Sequence, residues 1–226
     1  MPELSAAATL DLWQAVEGRD PVGRSLALAA AGGREPDELA RLPLGRRDAL
    51  LLELYAGQAL DATAECPQCA ERAEFAVDTR ELLARAGAAM EPAPVGSVAW
   101  RSPDSLDVLA AAAAGDEDAA ERVLLERCTG SADLPAEVRA EVARAMAGAD
   151  PLAEVLVQVP CPACGADFVA DVDVAAFVWA ELRTRATRLL HEVDVLARAY
   201  GWTEAEVLAL GDRRRAVYLE LAGAGA

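Results

Sequence analysis

The clearest pattern of apolar and polar positions lies in the last quarter of the chain. Apolar residues recur there at spacings of three and four, which predicts one amphipathic helix over residues 174–200 that ends before Gly201. After it, Thr203 and Glu206 have the spacing of a capping box, and a last helix is predicted from Asp212. The apolar positions of the long helix are Val178, Leu182, Ala186, Leu189, Val193, Leu196 and Tyr200.

Shorter helices are predicted in the first 60 residues. Apolar positions recur before Gly18 and again over residues 22–31, and each run ends at a glycine. Pro43 and Gly45 precede a third predicted helix. The apolar stripe of this third helix is formed by Leu50, Leu51, Leu54 and Tyr55.

Around each of two cysteine pairs, apolar residues recur at every second position. Each pair is followed by a short alternation of apolar with polar or small residues, which predicts a strand. Asp78 and Asp173 each lie nine residues after the second cysteine of their pair, and each can cap a following helix. We interpret this as an internal repeat of strand, cysteine turn, strand and helix. The two pairs are Cys66 with Cys69 and Cys161 with Cys164.

An acidic segment separates the two repeat units. Residues 102–154 hold 12 acidic residues and 4 arginines, and their pattern predicts helices over 103–114, 116–128 and 135–148. This composition is more typical of a solvated helical lobe, inserted between the two repeat units, than of a core element.

The cysteine spacing indicates one structural zinc ion. A two-residue gap allows a tight turn to direct both thiolates of a pair at one tetrahedral ion, and four thiolates leave no open position for catalysis. Because 91 residues separate the pairs, the insert must loop out and return. The alternatives are a redox motif, which needs a single motif on a strand-to-helix turn, and disulfides, which a reducing cytosol disfavours.

These patterns together predict an α+β fold that is mainly helical. Its β part is a small four-stranded, zinc-ribbon-like element built from the two C-P-x-C units. The predicted segments are N-terminal helices (1–60), the first cysteine turn with strand and helix (61–89), the acidic helical insert (90–154), the second cysteine turn with strands (155–173), and the long helix with C-terminal helices (174–226).

Composition excludes several functions. The net charge of -17 disfavours binding to nucleic acid through phosphates, and the absence of lysine excludes a Walker A clamp and a lysine Schiff base. His191, the single histidine, is interpreted as a helix surface residue because no nucleophile or carboxylate constellation accompanies it. Cys128 is interpreted as a small buried residue. We therefore expect no enzyme, no small-molecule substrate and no catalytic residues.

One candidate partner surface lies near the C-terminus. Residues 181–226 carry seven acids and seven arginines, whereas the 31 remaining acids and 14 remaining arginines lie before them. A run of arginines on a helix is usually a solvated face, but arginine together with aromatic residues is typical of an interface. The candidate partner-binding residues are Trp202, Arg213, Arg214, Arg215 and Tyr218.

The sequence also predicts a cytoplasmic protein. No apolar run approaches the roughly 18 residues of a membrane span, and residues 1–4 lack the basic start of a signal peptide. We therefore expect no membrane partner.

Several stretches resemble a family of baseplate proteins. They are residues 42–49 (LPLGRRDA), the first cysteine pair with its strand, and residues 159–165 (VPCPACG), 177–182 (FVWAEL), 190–193 (LHEV), 196–210 (LARAYGWTEAEVLAL) and 214–220 (RRAVYLE). Together they resemble the baseplate-hub assembly proteins, also called chaperones, of contractile-tailed phages and bacterial contractile injection systems. Gly211 and Asp212 depart from the Ser-Pro that this family has before its last helix.

The resemblance implies a non-enzymatic baseplate component or assembly factor that works in the cytoplasm or within the assembled tail. It implies that zinc maintains the fold and that the C-terminal helices contact other baseplate or tail proteins. The alternative is a zinc-ribbon adaptor or regulatory protein, including one linked to nucleic acid.

Overall fold

The computed structural model describes residues 4–53, 59–87 and 92–224, which fall into two compact units. Unit 1 comprises Met1–Arg19 with Val178–Ala226, and unit 2 comprises Asp20–Phe177. The first predicted segment, residues 1–60, is therefore shared between the units. In chain order the elements are α1 (Ala6–Val16), α2 (Pro21–Ala30), α3 (Pro36–Ala40), α4 (Leu44–Glu53), β1 (Ala59–Glu65), β2 (Arg72–Asp78), α5 (Thr79–Gly87), α6 (Ser105–Ala112), α7 (Glu117–Thr129), α8 (Ala136–Ala149), β3 (Leu156–Pro160), β4 (Asp167–Asp171), α9 (Val174–Tyr200), α10 (Glu204–Leu208) and α11 (Asp212–Ala224).

The mainly helical prediction and the strand–turn–strand–helix repeat are confirmed. Asp78 accepts a hydrogen bond from the Arg80 amide at the start of α5, and Asp173 accepts one from the Ala176 amide at the start of α9. Thr203 forms the predicted capping box of α10 with Glu206. The long helix α9 ends at Tyr200, as predicted, and Gly201 directly after it has a φ of 69°, which suits a residue without a Cβ.

The β part differs from the predicted four-stranded element. β1 pairs with β2 and β3 pairs with β4, each pair antiparallel, so the described residues contain two separate two-stranded sheets. Strand pairing takes place only within each hairpin, and the two hairpins meet through side chains. A repeat in sequence thus gives two copies of a hairpin without continuous pairing between them.

The start of α4 is also different from the prediction. Gly45 lies inside the first turn of α4 and does not precede the helix, and its amide donates to Asp150 Oδ2 at 2.9 Å. Asp150 is buried and caps α4 from a position 105 residues later. Leu54 and Tyr55, predicted to extend the apolar stripe of this helix, lie outside the described residues.

The acidic insert is helical and most of its acids are exposed, as the sequence predicted, and a few of its residues also pack on the rest of unit 2. Besides the Asp150 cap, the buried Arg47 of α4 donates to the Ser105 hydroxyl of α6 at 3.0 Å, and Pro43 forms a β-bridge with Asp104. The acids are exposed along the outer helix faces, whereas a few inward residues make the contacts. The acidic composition averaged over the 53 residues of this segment does not reveal these few inward positions.

A buried carboxylate organises the insert itself. Asp107 is fully buried in α6, and it accepts hydrogen bonds from Arg101, from Arg127 on α7 and from the Asp104 amide. Burial alone would raise the pKa of Asp107, but the hydrogen bonds from Arg101, the Asp104 amide and Arg127 hold this pKa well below its usual value. The group therefore stabilises the fold in its charged form.

We expect Asp107→Asn to lower the free energy of unfolding by about 2 kcal/mol at pH 7, less than for a fully buried pair because both arginines are half exposed. Because the folded pKa is depressed, this contribution is complete above the unfolded pKa of about 3.9 and disappears as pH falls below it. Urea titrations from pH 7 to pH 3 should show the difference shrinking. A pH-independent difference would contradict this account, and the exposed Asp118→Asn is the matched control.

Unit 1 is built around the long helix. Ala6 and Leu10 of α1 pack against Ala186 and Leu189 of α9, with Trp13 and Leu208 at the margin. Arg185 also donates to the Leu4 carbonyl at 3.0 Å. The N-terminal helix therefore belongs with the C-terminal helices and is separated in sequence from its partner by most of the chain.

Candidate metal centre

Each cysteine pair lies in the turn of its own hairpin, and the two turns have the same backbone hydrogen bonds. The amide of Cys66 donates to the Glu71 carbonyl at 2.9 Å, and the amide of Cys161 donates to the Ala166 carbonyl at 2.9 Å. The Cys66 carbonyl accepts from Ala70, and the Cys161 carbonyl accepts from Gly165. These bonds close the turn around both thiols of a pair.

The turn needs one residue in the left-handed region, directly after the second cysteine. Gly165 has φ of 72° in the second turn, whereas Ala70 has φ of 59° in the first. A left-handed residue with a Cβ costs roughly 1–2 kcal/mol, while glycine avoids this cost. The first turn therefore carries local backbone strain that the second does not.

This difference gives a prediction for two reciprocal variants. Ala70→Gly should stabilise the protein by about 0.5–1 kcal/mol, because relief of the left-handed strain exceeds the entropy cost of glycine, and Gly165→Ala should destabilise it by a similar amount. Urea unfolding at saturating zinc measures both. Equal or reversed signs for the two variants would contradict the assigned turn geometry.

The four thiols converge on one point between the turns. Their sulfur atoms all lie within 4.8 Å of one another, with Cys66 Sγ 3.8 Å from Cys164 Sγ and Cys69 Sγ 3.6 Å from Cys161 Sγ. Four thiolates at about 2.3 Å from a tetrahedral ion would be about 3.8 Å apart. The donor set and its spacing therefore fit one metal ion, and all four cysteines are free thiols.

Burial is divided evenly within the cluster. Cys66 and Cys161, the first cysteine of each turn, are buried, while Cys69 and Cys164 are exposed. The buried sulfurs belong to a small core with side chains of both hairpins, namely Ala73, Val159, Phe168 and Ala170. The site thus has an apolar inner side that holds the hairpins together and an outer side through which an ion can enter.

The local electrostatics favour thiolate at one position and neutral thiol at another. The Cys161 sulfur accepts hydrogen bonds from the backbone amides of Cys164 and Ala163. These bonds outweigh the effect of burial, which would raise the pKa, and they lower the pKa of Cys161 to about 6. The Glu71 amide lowers the pKa of Cys69, but hydrogen bonds with the other thiols, first Cys161, raise it to about 12. Four thiols this close cannot all ionise alone, whereas a divalent cation would stabilise four thiolates.

The two other candidate chemical residues do not join the cluster. His191 is exposed on α9, in unit 1. Cys128 is buried at the end of α7 with its sulfur 3.9 Å from Asp107 Oδ2, and burial together with that carboxylate raises its pKa to about 11. Cys128 is thus a buried neutral thiol, as its sequence context predicted.

The five candidate partner residues differ in their exposure and contacts. Trp202 and Tyr218 are half-buried in a cluster of aromatic rings with Tyr200, and Arg213 and Arg214 are exposed at the start of α11. Arg215 is buried and pairs with Glu192, Asp212 and the Leu210 carbonyl. Arg215 therefore lies beneath the surface and ties α11 to α9, which corrects its placement on the partner face.

Sequence reasoning missed a groove beside these residues, lined by Val195 of α9 and Leu221 of α11 among others. One signal was present: Leu221, which lines this groove, shares one helix face at spacings of three and four with Arg214, Val217 and Tyr218, which line a neighbouring depression.

Within the described ranges, no helix has the length and apolarity needed to cross a membrane. Comparison of the chain with models of known protein families, with curated protein sequences and with solved structures finds no match.

Proposed function

We propose that the protein is a non-enzymatic assembly protein whose fold depends on one structural Zn²⁺ ion. The observation that carries the proposal is the convergence of Cys66, Cys69, Cys161 and Cys164, two pairs that lie 91 residues apart and on different hairpins. Zinc is the ion that best suits four thiolates in a closed tetrahedral set. The two hairpins would then act as a zinc-ribbon-like element in which the ion replaces the missing backbone pairing between sheets.

The role of the ion follows from its position. Each hairpin is a two-stranded sheet, which is marginal on its own, and the core shared by the hairpins is small. An ion bound to both turns would fix the hairpins against each other and would position α5 and the start of α9, which follow them directly. A filled shell of four sulfurs leaves no position for a water or substrate, so this site supports no catalysis.

The process we assign is the assembly of a baseplate in a phage-like contractile tail or a contractile injection system. The support is the resemblance of residues 196–220, together with the cysteine motifs and residues 42–49, to baseplate-hub assembly proteins. The expected partners are baseplate or tail proteins. The competing candidate, a zinc-ribbon adaptor linked to nucleic acid, is disfavoured by the net charge of -17.

Affinity purification from cells that co-express the chain with the tube, hub and baseplate-wedge proteins of its own genome tests this role. We expect one of these proteins to co-purify with the wild-type chain and with Cys128→Ser, and to be lost with Cys66→Ser. Binding of the purified chain to DNA or RNA that weakens steeply with salt, without recovery of any tail protein, would reverse the assignment.

A further inference from the structure

An open groove lies between α9 and α11 in unit 1. None of the four cysteines lines this groove, and apolar side chains are exposed along it. The groove has a volume of about 610 Å³. On α9 its lining residues follow the spacing i, i+3, i+4 and i+7, which is one face of the helix. We call it the C-terminal groove, and its main lining residues are His191, Asp194, Val195, Arg198, Tyr200 and Leu221.

Large apolar side chains are exposed to water along this groove and beside it. Leu221 is 58% exposed, Val217 is 49% exposed and Tyr200 is 39% exposed. Val217 and Leu221 lie four residues apart on α11, so they project from the same side of that helix. Exposed apolar groups that are grouped in this way indicate a surface that is covered by a partner.

A rigid aromatic cluster borders the groove. Tyr200 lines the groove and stacks on Trp202 with ring centroids 4.7 Å apart, and Trp202 meets the edge of Tyr218 at 4.9 Å. Because the rings hold one another in place, binding against them costs little side-chain entropy. Tyrosine and tryptophan in such positions contribute strongly to interface energies.

The charges at this surface favour an acidic partner. Within the groove, Arg198 and Asp194 form an ion pair at 3.0 Å and so cancel each other. Arg213 and Arg214 lie outside the groove lining, in a neighbouring exposed depression that they form with Val217 and Tyr218, and neither forms an ion pair within the described chain. On a chain of net charge -17, these two cations attract an acidic segment to this place, while most of the remaining surface repels it.

We propose that the C-terminal groove binds an amphipathic helix of a partner protein, with an apolar stripe flanked by aspartate or glutamate. The stripe packs between α9 and α11 against Val195 and Leu221, and the acidic residues pair with Arg213 and Arg214. A helix is the occupant because the groove lies between two helices, where a third helix can place apolar residues at spacings of three and four. This inference rests on the proposed assembly role and specifies the chemistry of the partner.

A helical peptide display library tests the chemistry directly. The library keeps a fixed leucine stripe at spacings of three and four and randomises the flanking positions between glutamate, lysine and glutamine. Selection on the full-length zinc-loaded protein should enrich glutamate. Enrichment of lysine, or binders without any charge preference, would overturn the proposal.

Variants then locate the binding surface, with the best selected peptide as the probe in fluorescence anisotropy. Leu221→Asp and the double variant Arg213→Glu/Arg214→Glu should each weaken the dissociation constant by about tenfold or more. The matched controls are Leu109→Asp, at a leucine that is 42% exposed on α6, and Arg183→Glu, at an exposed arginine of α9 outside the groove lining. Equal effects from test and control variants would overturn the assignment, and circular dichroism must show all four variants folded.

The same protein variants distinguish three further outcomes. Sedimentation equilibrium should show that the wild-type chain is a monomer. If the wild-type chain self-associates and Leu221→Asp abolishes that association, the occupant is a second copy and the proposal fails. If tail proteins co-purify equally with Leu221→Asp and wild type, the groove is not the partner site while the assembly role stands. If no tail protein co-purifies but the acidic peptide binds with the expected variant effects, the assembly role fails and the groove chemistry stands.

Discussion

Replacing Cys66 with serine is expected to release the metal ion and to destabilise unit 2 by more than about 4 kcal/mol. Cys66 is buried in the core between the hairpins, so its loss removes one metal ligand and leaves three thiolates around a site that needs four. Metal analysis after gel filtration, together with urea unfolding followed by circular dichroism, measures both effects. We expect metal loss and unfolding to occur together.

The matched control is Cys128→Ser, because Cys128 is also a buried cysteine of unit 2 but lies at the end of α7, away from the cluster. It should retain the full metal content. A Cys66→Ser protein that stays folded and loses only a catalytic activity would indicate an enzymatic site instead of a structural one. A Cys128→Ser protein that loses metal would show that the cluster is wrongly assigned.

Gly45→Ala should have the second largest effect, a loss of about 3 to 5 kcal/mol in the free energy of unfolding. A Cβ on residue 45 would overlap Asp150 Oδ1 and would lie 2.8 Å from the Ala153 nitrogen and 2.9 Å from the Leu152 carbonyl carbon. The backbone atoms cannot move aside as a flexible side chain can. The substitution therefore separates α4 from the insert and breaks the hydrogen bond from Gly45 to Asp150.

Thermal and urea unfolding measure this effect against a favourable control. Gly148→Ala lies inside α8 with open space around the new Cβ, and it should stabilise the protein by about 0.5–1 kcal/mol. A Gly45→Ala protein as stable as wild type would show that the insert does not pack closely on α4. Removal of the Asp150 carboxylate should not rescue Gly45→Ala, since the backbone of residues 152 and 153 still occupies the space.

Local signals in the sequence predicted most of the elements. The spacing of Val178, Leu182 and Leu189 reflects burial along one face of α9, and the caps at Asp173 and Thr203 depend on neighbouring amides only. The cysteine cluster was also predictable, because two C-P-x-C turns have few uses other than a shared metal ion.

Contacts between distant segments were not predictable in this way. Asp107 and Asp150 look like any other acids of an acidic insert, and only their partners, Arg101 with Arg127 and the Gly45 amide, distinguish them. Arg215 looked like its two neighbours, but the helical turn directs it to Glu192 while Arg213 and Arg214 face water. Such roles depend on tertiary geometry, to which composition and periodicity are insensitive.

The most direct test of the central claim is X-ray absorption at the zinc edge on the purified full-length protein, normalised to the metal content per chain. The account predicts one zinc ion per chain with four sulfur neighbours at about 2.3 Å. Nitrogen or oxygen ligands, a different metal, or a protein that is fully folded without stoichiometric metal would contradict it.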